Sequence, residues 1–433
     1  MNNYGTMCPI PTGYIIRTSM TTQTTSSDFF IISGIFLFSL ILFTIGLSGQ
    51  EIIGFESRFY LFAQEMWRNG ISAFPTTYDQ PYPDYPATST ILIYIVSLFA
   101  GGLTKLTAVL PSAVAAAITV VITYLLGALH NKRWGYYAAF FLLLTFTFFR
   151  SARTISLDMY VTTITVGCFY IVYSADYHSK NLRLWWTYPL LVLAFIFRGP
   201  MGVVIPAGVI TMYYFFCGEY KRFFIAGLSA GIILSIGTIF LLSLADYVGG
   251  DPFMHDVLDM EVAGRINNHF LPFYYYFIAS LSQYALAYPV AIFALIGICY
   301  MSMIRNVVSP EMKFVTKLFV FVMVILLGLS IPGDKKIRYI LPMTPALALI
   351  AAYSFVAPAK DRYFIFMRSL LNALFMLLPS LCIMAVFLLS QQAAKIGFIP
   401  AQSAAYTVCF LFLAQIAIGG IYYFSLRRKM ILK

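Results

Sequence analysis

Charge is scarce in this chain. Of 433 residues, 10% are Asp, Glu, Lys or Arg and 60% are hydrophobic, a balance that excludes both an ordinary water-soluble globular protein and a disordered one. Cysteine is sparse too: Cys8, Cys168, Cys217, Cys299, Cys382 and Cys409 fall singly, mostly inside apolar stretches, with no C-x-x-C pair. Neither a zinc site nor a disulfide framework is indicated. Gly-rich phosphate loops, Walker sequences and G-x-S-x-G elbows are missing, so no nucleotide cofactor is expected. Acidic residues are the rarer sign, 17 against 28 bases, for a net charge of +11. In a soluble chain that excess would suggest nucleic acid. Here the bases sit in small clusters between hydrophobic runs, as topology signals do, and no nucleic-acid partner is expected.

Apolar sequence is abundant, in unbroken blocks near 29–48, 107–129, 136–149, 159–175, 185–197, 201–217, 223–245, 277–304, 314–331, 339–357, 364–389 and 405–426. Backbone groups in lipid must be satisfied within their own segment, and these blocks outrun the roughly ten-residue strands of a barrel. The fold class is therefore an all-α polytopic membrane protein with about twelve transmembrane helices. A shorter apolar stretch, 89–103, precedes the second block and reads as re-entrant or interfacial. Residues 1–28 form a polar cytoplasmic tail, followed by an anchored first helix rather than a cleaved signal. The transmembrane region covers 29–426, with a second cytoplasmic tail at 427–433.

Positive-inside bias orients the chain. Lys132 with Arg133, Lys180 with Arg183, Lys221 with Arg222, Arg305 with Lys313, Lys360 with Arg362, and the tail bases Arg427, Arg428, Lys429 and Lys433 fall in alternate loops. Both termini are expected in the cytoplasm. The opposite face collects most of the carboxylates together with its own bases, Arg58, Arg68, Arg153, Arg198, Arg265, Lys335, Lys336 and Arg338. Two long loops belong to that face, 49–88 and 246–276; long loops in compact folds are often functional. Arg58 to Arg68 repeats apolar residues at helical spacing, which predicts a helix lying in the membrane interface.

The motifs carry a chemical suggestion. Glu56-Ser-Arg58 places a carboxylate and a guanidinium two residues apart where a helix leaves the bilayer; an interfacial anchor with a solvated pair is the bland alternative. Phe74 to Pro86 packs prolines among aromatics with Asp79, Asp84 and Tyr85, reading as a rigid extended rim that could support a sugar or form an aromatic belt. Asp158 stands at the head of a helix, as a catalytic group or as an N-cap. Arg198 lies in Arg-Gly-Pro-Met-Gly, where Gly and Pro explain a tight turn without explaining the arginine. Lys335, Lys336 and Arg338 crowd one outer turn against the topological bias, for which a phosphate is the natural partner through charge-assisted bonds. His255 and His269 with Asp256, Asp259 and Glu261 could hold a divalent ion, but their spacing fits no fixed motif, and no metal site is assigned.

In order along the chain these segments resemble the bacterial GT-C glycosyltransferases of the protein O-mannosyltransferase-like group, most closely the lipid A aminoarabinose transferases. Glu56-Ser-Arg58-Phe-Tyr is similar to D-E-x-R-Y, Ala152-Arg153 to Met159 to A-R-x-x-x-L-D-M, Arg198-Gly-Pro-Met-Gly to K-G-P-x-G, and Lys335, Tyr339, Leu341 and Pro342 to S-K-x-x-x-Y-x-L-P. Phe55 stands where that pattern has its first Asp, and Asp84-Tyr85-Pro86 replaces E-K-P-P. The resemblance implies a GT-C fold and a donor sugar on undecaprenyl phosphate. It further implies transfer at the periplasmic side of the bacterial inner membrane, to lipid A or another lipid or glycan acceptor. The phosphate leaving group calls for fixed cations, for which Arg58, Arg198, Lys335 and Arg338 are the candidates. Glu56 and Asp158 are the candidate catalytic carboxylates, needed as base for a hydroxyl acceptor and as orienting groups for a phosphate. Asp84, Tyr85 and Tyr339 complete the substrate-binding set. The competing readings are a protein O-glycosyltransferase, an oligosaccharide ligase, and a flippase or transporter of the lipid-linked sugar; charges near mid-membrane and inverted repeats, which favour transport, are not evident.

Overall fold

In a bilayer every backbone hydrogen bond must close within its segment, and the apolar blocks among the described residues accordingly appear as helices. The computed structural model describes residues 26–260, 271–359, 361–396 and scattered positions between 409 and 420. Glu261, Arg265, His269, Lys360, most of the N-terminal tail, the tail 427–433 and most of block 405–426 lie outside the described residues. Among those described, the chain forms fourteen α-helices and one hairpin, and eight helical segments are long and apolar enough to cross a membrane.

Helix α1 (Ser26–Thr44) is followed by α2 (Glu56–Asn69), the helix expected in the first long loop. Its apolar face buries Phe59, Phe62, Ala63 and Met66. The proline-rich stretch that follows is not simply extended: Thr76–Thr77 (β1) and Gln80–Pro81 (β2) pair antiparallel. The chain reverses through Tyr78 and Asp79, both at positive φ. Two consecutive left-handed residues make the turn type whose twist suits a hairpin. Helix α3 (Thr88–Ala100), at 13 residues, is too short to span. It leads into α4 (Lys105–Ala128), which opens with a capping box between Thr104 and Thr107.

Block 136–149 is broken at Thr145 into α5 (Lys132–Leu144) and α6 (Phe146–Ala152). Helix α7 (Leu157–His178) is the buried axis of this region, with Asp158 at one end and Asp176 at the other. Blocks 185–197 and 201–217 merge into α8 (Thr187–Phe216), bent at Arg198 and Gly199. The bend returns the chain on itself, since Tyr213 near its end donates to Asp176 at 2.9 Å while Arg198 at its middle pairs with Asp158. Gly199, at φ 56 and ψ −147, occupies a conformation closed to other residues, and a Cβ on Gly202 would collide with the Ala194 carbonyl oxygen. Both glycines are thus required by the turn.

Helix α9 (Tyr220–Leu258) bends at Gly250, so the first part of the expected loop 246–276 is helical. Then come α10 (Tyr275–Gln283), α11 (Ala287–Arg305), α12 (Pro310–Ser330), a 3₁₀ turn at Ile337–Met343, α13 (Thr344–Val356) and α14 (Arg362–Ile396). The chain divides into two units, Met1–Tyr353 and Ser354–Lys433. Within the second, Asp361 starts α14 by accepting the backbone N–H groups of Tyr363 and Phe364. All the candidate site residues belong to the first.

Candidate active site

The site lies at the Asp158 end of α7 and is built on α2, the hairpin segment, α7, the bend of α8 and the 3₁₀ turn. An apolar cluster of Phe59, Phe62, Tyr85, Ile93, Val109 and Leu157 underlies it and locks the first long loop onto α3, α4 and α7.

Asp158 is its centre. Ser156 occupies the N-cap position of α7 and no side chain caps the helix. The capping alternative is therefore set aside: the carboxylate turns to two arginines instead. Oδ1 stands 2.9 Å from Arg198 Nη2 and Oδ2 stands 3.3 Å from Arg338 Nε. Asp158 and Arg198 are both buried, at 5% exposure each. One carboxylate between two guanidiniums leaves a positive charge over. The α8 bend delivers Arg198, whose guanidinium carbon lies 5.3 Å from the Tyr85 ring and 5.5 Å from that of Tyr339, so aromatic faces replace the water it has lost. Arg338 lies over Phe55 at 3.3 Å and within 5.5 Å of Tyr339. The 3₁₀ turn presenting it is pinned where Tyr284 and Tyr276 donate to the carbonyls of Ile337 and Lys336, at 2.7 and 3.3 Å.

Arg58 and Asp84 pair at 3.2 Å, although the contact lacks hydrogen-bond alignment at Asp84 Oδ2. Asp84 is buried while Arg58 remains 38% exposed. The Arg58 guanidinium is ringed by Phe55, Phe59, Phe62 and Tyr82. Phe55 thus lies against both Arg58 and Arg338.

Glu56 is engaged elsewhere. Its Oε1 receives Lys105 Nζ at 2.9 Å and its Oε2 the Ile155 N–H at 3.4 Å, and Lys105 also donates to the Glu51 carbonyl at 2.7 Å. Lys105 had no place among the candidates read from sequence. The signal was available: a lysine at the first position of a helix opposes the macrodipole, which calls for a nearby anion. Lys335, buried at 6% exposure, donates to the carbonyls of Leu271 and Pro332 at 3.0 and 2.6 Å, away from the arginine cluster, and Lys336 pairs with Asp334 at 3.3 Å. Arg153 donates to the carbonyls of Leu42, Phe43 and Ile45. It closes the C-terminal end of α1, a favourable place for a cation, and burial lowers its pKa from the ordinary value. Of the candidate metal residues, His255 meets Asp251 one turn away at 3.7 Å.

Two clefts meet at this cluster. A narrow one is lined by Asp158, Arg198 and Tyr339 with Val161, Met201 and Ile205, so its polar end opens onto apolar helix faces. The second, of about 220 Å³, is lined by Phe55, Glu56, Arg150, Gln283, Lys336 and Arg338 among others. Arg338 borders one cleft and pairs with a residue of the other. The narrow cleft, of about 10 Å³, admits no more than a water-sized group, so the room for a polar ligand beside Arg338 lies in the second cleft.

Residues 79–244 match the family described as dolichyl-phosphate-mannose-protein mannosyltransferase. No curated protein matches the chain in sequence. Among solved structures, ArnT from Cupriavidus metallidurans bound to undecaprenyl phosphate superposes with a TM-score of 0.69 at 14% identity, over 93% of this chain and 73% of that one. The apo state of the same protein gives a TM-score of 0.68 at 14% identity, with the same coverage. At that identity the likeness is one of fold, and it spans nearly the whole chain. The chain thus carries a segment that matches a mannosyltransferase family model, on a helical fold like that of ArnT with eight segments long and apolar enough to cross a membrane.

Proposed function

We propose that the chain transfers a sugar from a polyprenyl-phosphate carrier to lipid A or another envelope glycan, at the periplasmic face of a bacterial inner membrane. In this reading about twelve helices span the bilayer and both termini are cytoplasmic. The observation that carries it is the Arg198–Asp158–Arg338 cluster, a buried carboxylate between two guanidiniums that leaves one positive charge for an anionic leaving group. The ArnT structure of like fold holds undecaprenyl phosphate, which supports a polyprenyl carrier.

In the reaction the bond between the anomeric carbon and the carrier phosphate oxygen breaks, and a new bond forms between that carbon and an acceptor oxygen. The phosphate leaves with the electron pair, and Arg198 and Arg338 neutralise the charge it gains, with Arg58 adding its field; Lys335, engaged by the carbonyls of Leu271 and Pro332, is the fourth candidate cation from the sequence. Fixed cations in a site shielded from water need no reorganisation as that charge develops. A hydroxyl acceptor must surrender a proton, for which Asp158 is the candidate base; a phosphate acceptor needs orientation alone. Glu56, saturated by Lys105 and the Ile155 N–H, positions the start of α4. Asp84, Tyr85 and Tyr339 form the wall that orients the sugar. A protein acceptor is the second reading, favoured by the description of the family matching residues 79–244.

The test is mass spectrometry of lipid A, envelope glycans and secreted proteins from cells with the intact gene, without it, and with D158N or R198Q. A one-sugar mass difference on one pool identifies the acceptor, and each variant should lower transfer by roughly 10² to 10⁴ while still reaching the membrane. Full transfer by both variants overturns the site. An unchanged mass in every pool, with carrier-linked sugar accumulating on one leaflet, moves the function to transport.

A further inference from the structure

We propose a second, non-catalytic site: the cleft among α7, α8 and α9 at the Asp176 end of the bundle holds one anionic phospholipid, its phosphate on Arg222 and an acyl chain along α8 and α9. The cleft has a volume of about 220 Å³ and is graded in chemistry along the helices. At one end it is lined by Asn181, Trp185, Tyr188, Tyr214 and Arg222; towards the other by Leu191, Ala207, Ile210, Ile225 and Ala226. From Arg222 to Ser229, which also lines it, α9 rises about 10 Å, roughly the depth of a glycerol backbone and the first part of an acyl chain.

The headgroup end is preorganised. Arg222 Nη1 is held by Asp176 at 2.7 Å and Nη2 by Asn181 at 3.2 Å, and its guanidinium lies 5.7 Å from the Tyr214 ring. These contacts engage two of the five N–H groups a guanidinium carries, and the side chain keeps 31% exposure. Lys180, Arg183, Lys221 and Arg222 stand in this region against Asp176 and Glu219, so the neighbourhood is cationic after its acids are counted. Trp185 and Trp186 are 69% and 68% exposed beside it, as side chains at the headgroup level of a bilayer are. Topology signalling accounts for the bases but requires no cavity. A free phosphate accounts for the guanidinium but leaves the apolar half of the cleft without an occupant. A phospholipid with a net negative headgroup satisfies both.

Native mass spectrometry of the full chain, purified in a non-ionic detergent and stripped of lipid, tests this. Phosphatidylglycerol and phosphatidylcholine with the same acyl chains are titrated onto wild type, R222Q, R222K and A226F. Wild type should retain one phosphatidylglycerol at about tenfold lower concentration than phosphatidylcholine, a difference of about 1.4 kcal/mol. R222Q should lose that preference, R222K keep part of it, and A226F reduce binding of either lipid by filling the apolar half. If R222Q fails to fold, A226F still decides, because it leaves the Asp176 pair in place. Equal retention of the two lipids by wild type overturns the proposal. So does unchanged binding in A226F, or displacement of phosphatidylglycerol by millimolar inorganic phosphate, which would mark a plain anion site.

Discussion

Lys105 and Glu56 form a pair in which each partner is almost fully shielded from water, so removing one strands the other. K105M should lower stability by about 3–5 kcal/mol, whereas the double variant K105M/E56Q should recover much of that loss, because two neutral groups leave no charge stranded. Thermal denaturation in detergent of the four proteins of that cycle measures it; simple additivity would show the pair to be uncoupled. His130 allows a test by pH. It contacts Tyr173 OH at 2.7 Å, and burial lowers its pKa from 6.5 to about 4. The folded state therefore stays neutral where the unfolded chain takes up a proton. Stability should fall as pH drops from about 6.5 towards 4, by at most about 3 kcal/mol from this group. Comparison with H130N isolates it: the variant should lose less stability over that range, and identical profiles would reject the assignment. The histidine's environment was not legible in sequence, because its neighbours Tyr173 and Phe314 come from distant helices.

Local turns were more legible at the scale of the element. Arg198-Gly-Pro-Met-Gly predicted a tight reversal, and the backbone at Gly199 and the close approach at Gly202 supply the reason. The helix in the first long loop followed from apolar spacing alone. Other features depended on partners the pattern could not show. Thr145 donates to the Phe141 carbonyl where α5 ends, and an apolar block gave no notice of that break. Asp158 looked equally like a cap or a reactive group until Arg198 and Arg338, 40 and 180 residues further on, were seen to share it. The α8 bend makes a sharp prediction. G202A, whose Cβ would meet the Ala194 carbonyl oxygen and the Arg198 side chain, should both lower the melting temperature and reduce transfer. G328A, with nothing within 4 Å of its Cβ, should do neither. Normal transfer by G202A would show that the bend does not position Arg198.

At the largest scale, ion pairs among the described residues of the first unit segregate to the two ends of α7. One end of α7 gathers Glu56, Asp84, Asp158 and their cations; the other holds Asp176 with Arg222. A membrane protein can keep charge at its two water-facing ends at far lower cost than across its middle, and this division was visible in the alternation of basic loops. In a background with the native cysteines replaced, a cysteine at Ser179 and one at Asp251 should react with a membrane-impermeant maleimide from opposite sides of the bilayer. Labelling of both from one side would contradict the proposed orientation.

Phe55 has an effect out of proportion to its chemistry. Its ring lies against Arg338 and near Arg58, where an acidic residue would cancel one of their charges. A neutral spacer adds no further acid to the two that already face these guanidiniums, Asp84 and Asp158, and so keeps the surplus positive charge of the cluster. Exchanging the ring for a carboxylate would trade that surplus for a proton acceptor. The charge balance of the cleft therefore turns on one side chain that does not ionise, shared by two guanidiniums.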